Sequence, residues 1–148
     1  MIYYLSLGSN LGECERHLRE ATRLLQERAG EVLRCSSFFY SEPWGFQSEN
    51  SFCNCCLALQ TTLQPLDLLH LTQQIEREMG RTIKSSGVGD YHDRIIDIDL
   101  LLCYLTDSPD STSLPLSRGA LTLPHPLMRQ RDFVMVPLRE IIPPGLLD

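Results

Sequence analysis

Arg94-Ile95-Ile96-Asp97-Ile98-Asp99-Leu100-Leu101-Leu102 is an apolar, strand-like run interrupted by two acids at alternate positions. Side chains two residues apart share one face of a strand, so Asp97 and Asp99 project together. Two carboxylates held side by side in apolar surroundings need neutralisation, which points to a hard cation. Mg²⁺ fits, because it accepts one or two protein carboxylates and leaves its other positions to water and phosphate oxygens. A polar edge face with Arg94 as its partner is the plainer alternative, since D-x-D is a short and common pattern.

The stretches upstream decide what this strand completes. Met1 to Leu7 reads as a strand entering a turn at Gly8-Ser9-Asn10-Leu11-Gly12. Cys14, Leu18, Ala21 and Leu25 then recur at helical spacing up to Gly30. Glu31 to Tyr40 reads as a second strand, and Glu42 to Asn50 breaks all periodicity. Phe52 to Thr61 resumes as a third strand on which Phe52, Asn54 and Cys56 share a face. Pro65 opens another helix, with Leu68, Leu71, Ile75 and Met79 on one side and Gly80 as its stop. With the Asp97/Asp99 strand the order becomes βαββαβ, which predicts an α+β fold. Its form is a ferredoxin-like sandwich, an antiparallel sheet with both helices on one face. Thr106 to Ser117 reads as an irregular loop, and Phe133 to Ile142 as additional C-terminal strand and helix.

At 148 residues with 43% hydrophobic content, the chain is expected to form one domain over 1–148. A net charge of −6 argues against a nucleic-acid partner, whose phosphates call for a basic face. No run could span a membrane and no basic-then-apolar leader opens the chain, so a cytoplasmic protein is expected, with a monomer as the default. Its six cysteines are then reduced thiols packed as small hydrophobes. Cys53-Asn54-Cys55-Cys56 lacks the second C-x-x-C or His pair that a structural zinc site needs.

Other residues carry further chemistry. Gly8-Ser9-Asn10 could turn backbone N–H groups toward an anion or cap the following helix. Trp44, Phe46 and Phe52 offer rings to a flat heterocycle, or pack into the core. Asn54, an amide inside an apolar strand, needs partners and can read a ring edge bearing donors and acceptors. Arg81, Lys84, Arg94, His125, Arg129 and Arg131 supply the positive charge that phosphates require.

Taken together, Gly8-Ser9-Asn10-Leu11, Phe52-x-Asn54, Gly80-Arg81, Arg94-Ile95-Ile96-Asp97-Ile98-Asp99, Pro124-His125-Pro126 and Arg131-Asp132-Phe133-Val134 resemble the 6-hydroxymethyl-7,8-dihydropterin pyrophosphokinase family, almost end to end. The resemblance implies transfer of the β,γ-pyrophosphoryl group of ATP to a pterin hydroxymethyl oxygen, with AMP released. It implies that Asp97 and Asp99 hold two Mg²⁺ ions, and that Arg81, Arg94, Asp97 and Asp99 are the catalytic set. It further implies that Arg81, Lys84, Arg94, Ile98, His125 and Arg131 contact ATP. Glu42, Pro43, Trp44, Gly45, Phe52, Asn54 and Phe133 would bind the pterin, with Phe52 and Phe133 sandwiching its ring. The chain departs from the family pattern at Tyr91-His92-Asp93, at Lys84 in place of an arginine, and at Glu49 in place of a glutamine. Two other readings use the same residues: another Mg²⁺-dependent kinase or nucleotidyltransferase, and a ferredoxin-like ligand-binding module without turnover.

Overall fold

The computed structural model describes residues 1–41, 51–80, 95–106, 108 and 110–147. Four long strands and two helices follow the expected order: β1 (Ile2–Ser9), α1 (Cys14–Arg28), β2 (Glu31–Cys35), β4 (Phe52–Gln60), α2 (Pro65–Gly80) and β5 (Asp97–Tyr104). Between β2 and β4 lies a short β3 (Phe39–Ser41). Every pairing is antiparallel, in the order β2-β4-β1-β5, with β3 also on β4. This is the α+β, ferredoxin-like arrangement.

Alternation along β1 sorts the core into two layers. Tyr3, Leu5 and Leu7 pack with Leu18, Ala21 and Leu25 of α1 and with Leu68 and Ile75 of α2. Ile2 and Tyr4 face the other way, where α3 (Asp132–Ile141) covers the sheet through Val134, Met135, Leu138 and Ile141. The apolar C-terminal segment is therefore all helix rather than strand and helix. Tyr4 and Tyr104 meet edge to face on this side, and Tyr104 Oη donates to the Leu146 carbonyl at 2.9 Å.

Two local features differ from the sequence expectation. Glu31 to Tyr40 is not one strand, because serine side chains take over from the ladder at 36 and 37. Ser36 Oγ accepts from Cys56 N–H at 2.9 Å, and Ser37 donates its N–H and Oγ–H to the Glu140 carboxylate of α3. The second difference is a hairpin of β6 (Leu116–Arg118) and β7 (Leu121–Leu123), turned at Gly119 with φ +59°, which takes over the end of the expected loop.

Gly30, just past α1, is dictated by packing. A Cβ there would lie 2.1 Å from the Gln60 carbonyl oxygen, so only glycine lets α1 hand the chain to the sheet edge at this approach. In β5 the ladder with β1 carries a bulge: Tyr4 faces Leu102 while the next residue, Leu5, faces Leu100. Leu101 is the extra residue.

Candidate functional site

The ends of three strands build the site. Gly8 pairs with Asn54 on one side and with Asp97 on the other, so one row across the sheet runs Phe39, Asn54, Gly8, Asp97. Two residues along, Ser6 pairs with Cys56 and Asp99. By alternation Phe52, Asn54, Asp97 and Asp99 all project on the α3 side of the sheet. The acid pair therefore shares a face, as the sequence pattern predicts.

Gly8 is the close point of this surface. A Cβ there would stand 2.9 Å from Asn54 Oδ1 and 3.5 Å from the Phe52 ring. Asn54 is 2% exposed, and its amide nitrogen donates to the Phe39 carbonyl at 3.2 Å and to Ser41 Oγ at 2.9 Å. With both N–H bonds committed, the group left for reading a ligand is the Oδ1 acceptor.

Arg131 and Phe133, at the start of α3, stand over the acid end. The Arg131 guanidinium approaches Asp99 to 3.8 Å and lies 5.6 Å from the centre of the Phe133 ring. Its side chain is only 10% exposed, so its charge acts in a partly dehydrated setting where electrostatic interactions are strong. His125 is fixed by its backbone N–H bond to the Leu101 carbonyl, and its Nδ1 accepts from Leu127 N–H at 3.1 Å. Burial and then the Arg131 charge pull its pKa down, against an opposing pull from Asp97. A neutral ring whose Nδ1 is an acceptor carries its proton on Nε2, so His125 presents a donor.

The structure adds Glu76, which sequence reasoning missed. From α2 this half-buried carboxylate reaches β5 and accepts Ile98 N–H at 2.9 Å. Burial first, with proximity to Asp97 and Asp99 adding to it, raises its pKa to about 8 against the lowering pull of the Ile98 bond. The sequence signal was the i, i+4 row Leu68, Thr72, Glu76, whose first two members are fully buried. Because the folded value lies above the ordinary glutamate value of 4.5, the fold loses stability as pH rises from there through about 8. In metal-free protein, Glu76→Gln is expected to raise Tm by roughly 5–10 °C at about pH 8.5 and by little at about pH 5, measured by differential scanning fluorimetry in EDTA. Equal shifts at both pH values would remove Glu76 as the source.

Ile98, expected to contact ATP, is the residue between the two acids. Its side chain is 4% exposed and sits in the α1/α2 core, opposite Asp97 and Asp99. Gly8 and Ser9 are paired strand residues and α1 starts only at Cys14, after Glu13, so the Gly8-Ser9-Asn10 turn does not cap that helix. Glu42, Pro43, Trp44, Gly45, Arg81, Lys84 and Arg94 lie outside the described residues. A cavity of about 460 Å³ between residues 110–113, Pro124–Pro126 and Leu146–Leu147 is lined in part by His125 and includes none of the row residues.

Comparison with known proteins places this geometry. The family model of 7,8-dihydro-6-hydroxymethylpterin-pyrophosphokinase matches residues 4–143. A 2-amino-4-hydroxy-6-hydroxymethyldihydropteridine pyrophosphokinase of Porphyromonas gingivalis is 51% identical over 142 residues, 96% of this chain and 91% of that protein. Proteins of the same name from Bacillus subtilis and Aquifex aeolicus are 38% and 36% identical, over 95% of this chain and 77% and 79% of their own lengths. A match over nearly the whole chain, which takes in Asn54, both acids and the Arg131–Phe133 segment, makes this protein a member of the 7,8-dihydro-6-hydroxymethylpterin-pyrophosphokinase family.

Proposed function

We propose that the chain, acting as a single domain and a monomer in the cytoplasm, transfers the pyrophosphoryl group of ATP to the hydroxymethyl oxygen of 6-hydroxymethyl-7,8-dihydropterin. AMP and the pterin diphosphate are the products, and the step belongs to folate biosynthesis. The observation that carries the reading is the row Asn54, Gly8, Asp97. Adjacent strands lie about 4.8 Å apart, so the ring-reading amide and the first acid are separated by about 10 Å. That is the scale of a bicyclic ring with its one-carbon arm, lying across a position that has no side chain.

The donor set fits Mg²⁺. Asp97 and Asp99 offer hard oxygens on one strand face, and among the described residues no group of three or more His, Cys, Asp or Glu converges on a metal. Two carboxylates leave coordination for phosphate oxygens and water. When bound, Mg²⁺ held by these acids, two ions by the family resemblance, would neutralise the triphosphate charge and polarise the phosphorus under attack. Phe52 and Phe133 would hold the ring between them, with Asn54 Oδ1 accepting a ring N–H. Arg131 and the Nε2–H of His125 would take phosphate oxygens, and Arg131 would exchange its Asp99 contact for them. Arg81, Lys84 and Arg94 are proposed to add charge to the same oxygens, and Glu42 to Gly45 to close on the ring edge. Such transfer depends on positioning and charge neutralisation more than on covalent chemistry, and this set supplies both.

Phosphorus NMR of the protein with Mg²⁺, ATP and 6-hydroxymethyl-7,8-dihydropterin tests the assignment. AMP and a pterin diphosphate are expected, and both should vanish on chelation. ADP instead of AMP would make the protein a simple kinase. Pterin binding without turnover would leave a binding module.

A further inference from the structure

Two acceptors on β3 hold the amide nitrogen of Asn54: the Phe39 carbonyl at 3.2 Å and Ser41 Oγ at 2.9 Å. The register sets Phe39 opposite Asn54 and Ser41 opposite Phe52. Residues that face each other across a ladder point the same way, so the half-buried Ser41 side chain lies on the face that carries Phe52, Asn54 and the acids.

The two bonds have different effects. A carbonyl oxygen can only accept, so the Phe39 bond decides which end of the amide faces β3; turned over, Asn54 would set Oδ1 against another acceptor. One hydrogen bond still leaves the amide free to swing about the N–H···O axis. The second, to Ser41 Oγ, fixes its plane. In that plane Oδ1 leans over Gly8, 2.9 Å from where a Cβ would stand. Asn54 is 2% exposed, so without the Ser41 acceptor one N–H would be left unmet, and the amide would turn to find another partner. Nitrogen and oxygen belong to one planar group, so that turn would carry Oδ1 away from its place over the glycine.

We propose that Ser41 is a positioning residue for pterin recognition: its hydroxyl holds the Asn54 amide in the plane from which Oδ1 meets a ring N–H, and it acts on the substrate only through Asn54. This role rests on the pterin assignment. It needs nothing from Ser41 but an oxygen acceptor, which threonine keeps and valine, of threonine's shape, lacks.

Ser41→Val and Ser41→Thr therefore isolate the hydroxyl, since both side chains suit a strand. Ser41→Val should raise KM for 6-hydroxymethyl-7,8-dihydropterin about ten-fold while kcat moves by less than about two-fold, and Ser41→Thr should stay near wild type. Fluorescence titration of pterin in the presence of a non-hydrolysable ATP analogue then closes a double-mutant cycle, in which Ser41→Val added to Asn54→Ala should weaken binding no further. Additive losses would mean that Ser41 meets the ring itself or supports β3 as a whole, and either would overturn the proposal, as would a Ser41→Thr no better than Ser41→Val. NMR of the free wild type is independent of how the variants fold: the two Asn54 side-chain amide protons should be distinct and slow to exchange with solvent, and rapid exchange would overturn the lock. A wild type that binds no pterin would overturn the functional reading and the role of Ser41 with it, whereas pterin binding with additive losses would overturn the role of Ser41 alone.

Discussion

Asp97→Ala is expected to lower turnover by roughly three orders of magnitude, because charge stabilisation in a partly dehydrated site contributes on that scale. The residue stands at the acid end of the sheet row and is one of two carboxylates proposed to meet the metal. Its removal leaves Asp99, beside Arg131, as the one acid of the pair still able to hold Mg²⁺. The fold should survive, since Asp97 is half-buried and its neighbour Gly8 has no side chain to lose packing. Glu76 loses one of the negative charges that raise its pKa, which favours the variant's stability. The decisive pair of measurements is turnover against Mg²⁺ concentration and calorimetric binding of a non-hydrolysable ATP analogue with and without Mg²⁺. The wild type should show metal-dependent nucleotide affinity that the variant lacks, while pterin affinity stays within a few-fold. Wild-type turnover in the variant would exclude Asp97 from the metal site.

Phe133→Ala is expected to weaken pterin binding by roughly 1–3 kcal/mol, about 5- to 150-fold, through lost stacking area. Phe133 lies in the first turn of α3, partly buried against the cluster beneath that helix, with the Arg131 guanidinium beside its ring. Truncation removes the ring but leaves Arg131 in contact with Asp99, so nucleotide affinity should change little. Fluorescence titration of pterin, in parallel with analogue calorimetry, separates the two ligands. Equal losses for both would mean that Phe133 supports α3 as a whole rather than one ligand.

The parts of this molecule that could be read from sequence are those where composition breaks a period. Two acids in an apolar run mark β5, an amide in a hydrophobic strand marks Asn54, and Pro65 and Gly80 bracket α2 where the structure has it. The break at Ser36 was hidden because serine is compatible with a strand until its hydroxyl finds a competing partner, here Cys56 N–H. The β6–β7 hairpin was hidden because three-residue strands carry too little alternation to register, leaving Gly119 as the sole cue. Glu76 reads as one more charge on a solvated helix until β5 is laid beside it and Ile98 donates to it.

The bulge at Leu101 gives β5 two reading frames. Before it, odd-numbered Asp97 and Asp99 face the α3 side; after it, even-numbered Leu102 and Tyr104 do, and they pack there with Tyr4 and Ile2. A strand without the extra residue would have to choose: either the acids enter the α1/α2 core or Tyr104 leaves its place under the C-terminal segment. Deleting Leu101 would therefore act as a frameshift at the level of the fold, conserving composition almost entirely while inverting one half of the strand. Ligand chemistry at one end and core packing at the other can thus change independently, with the frame boundary insulating each from the other.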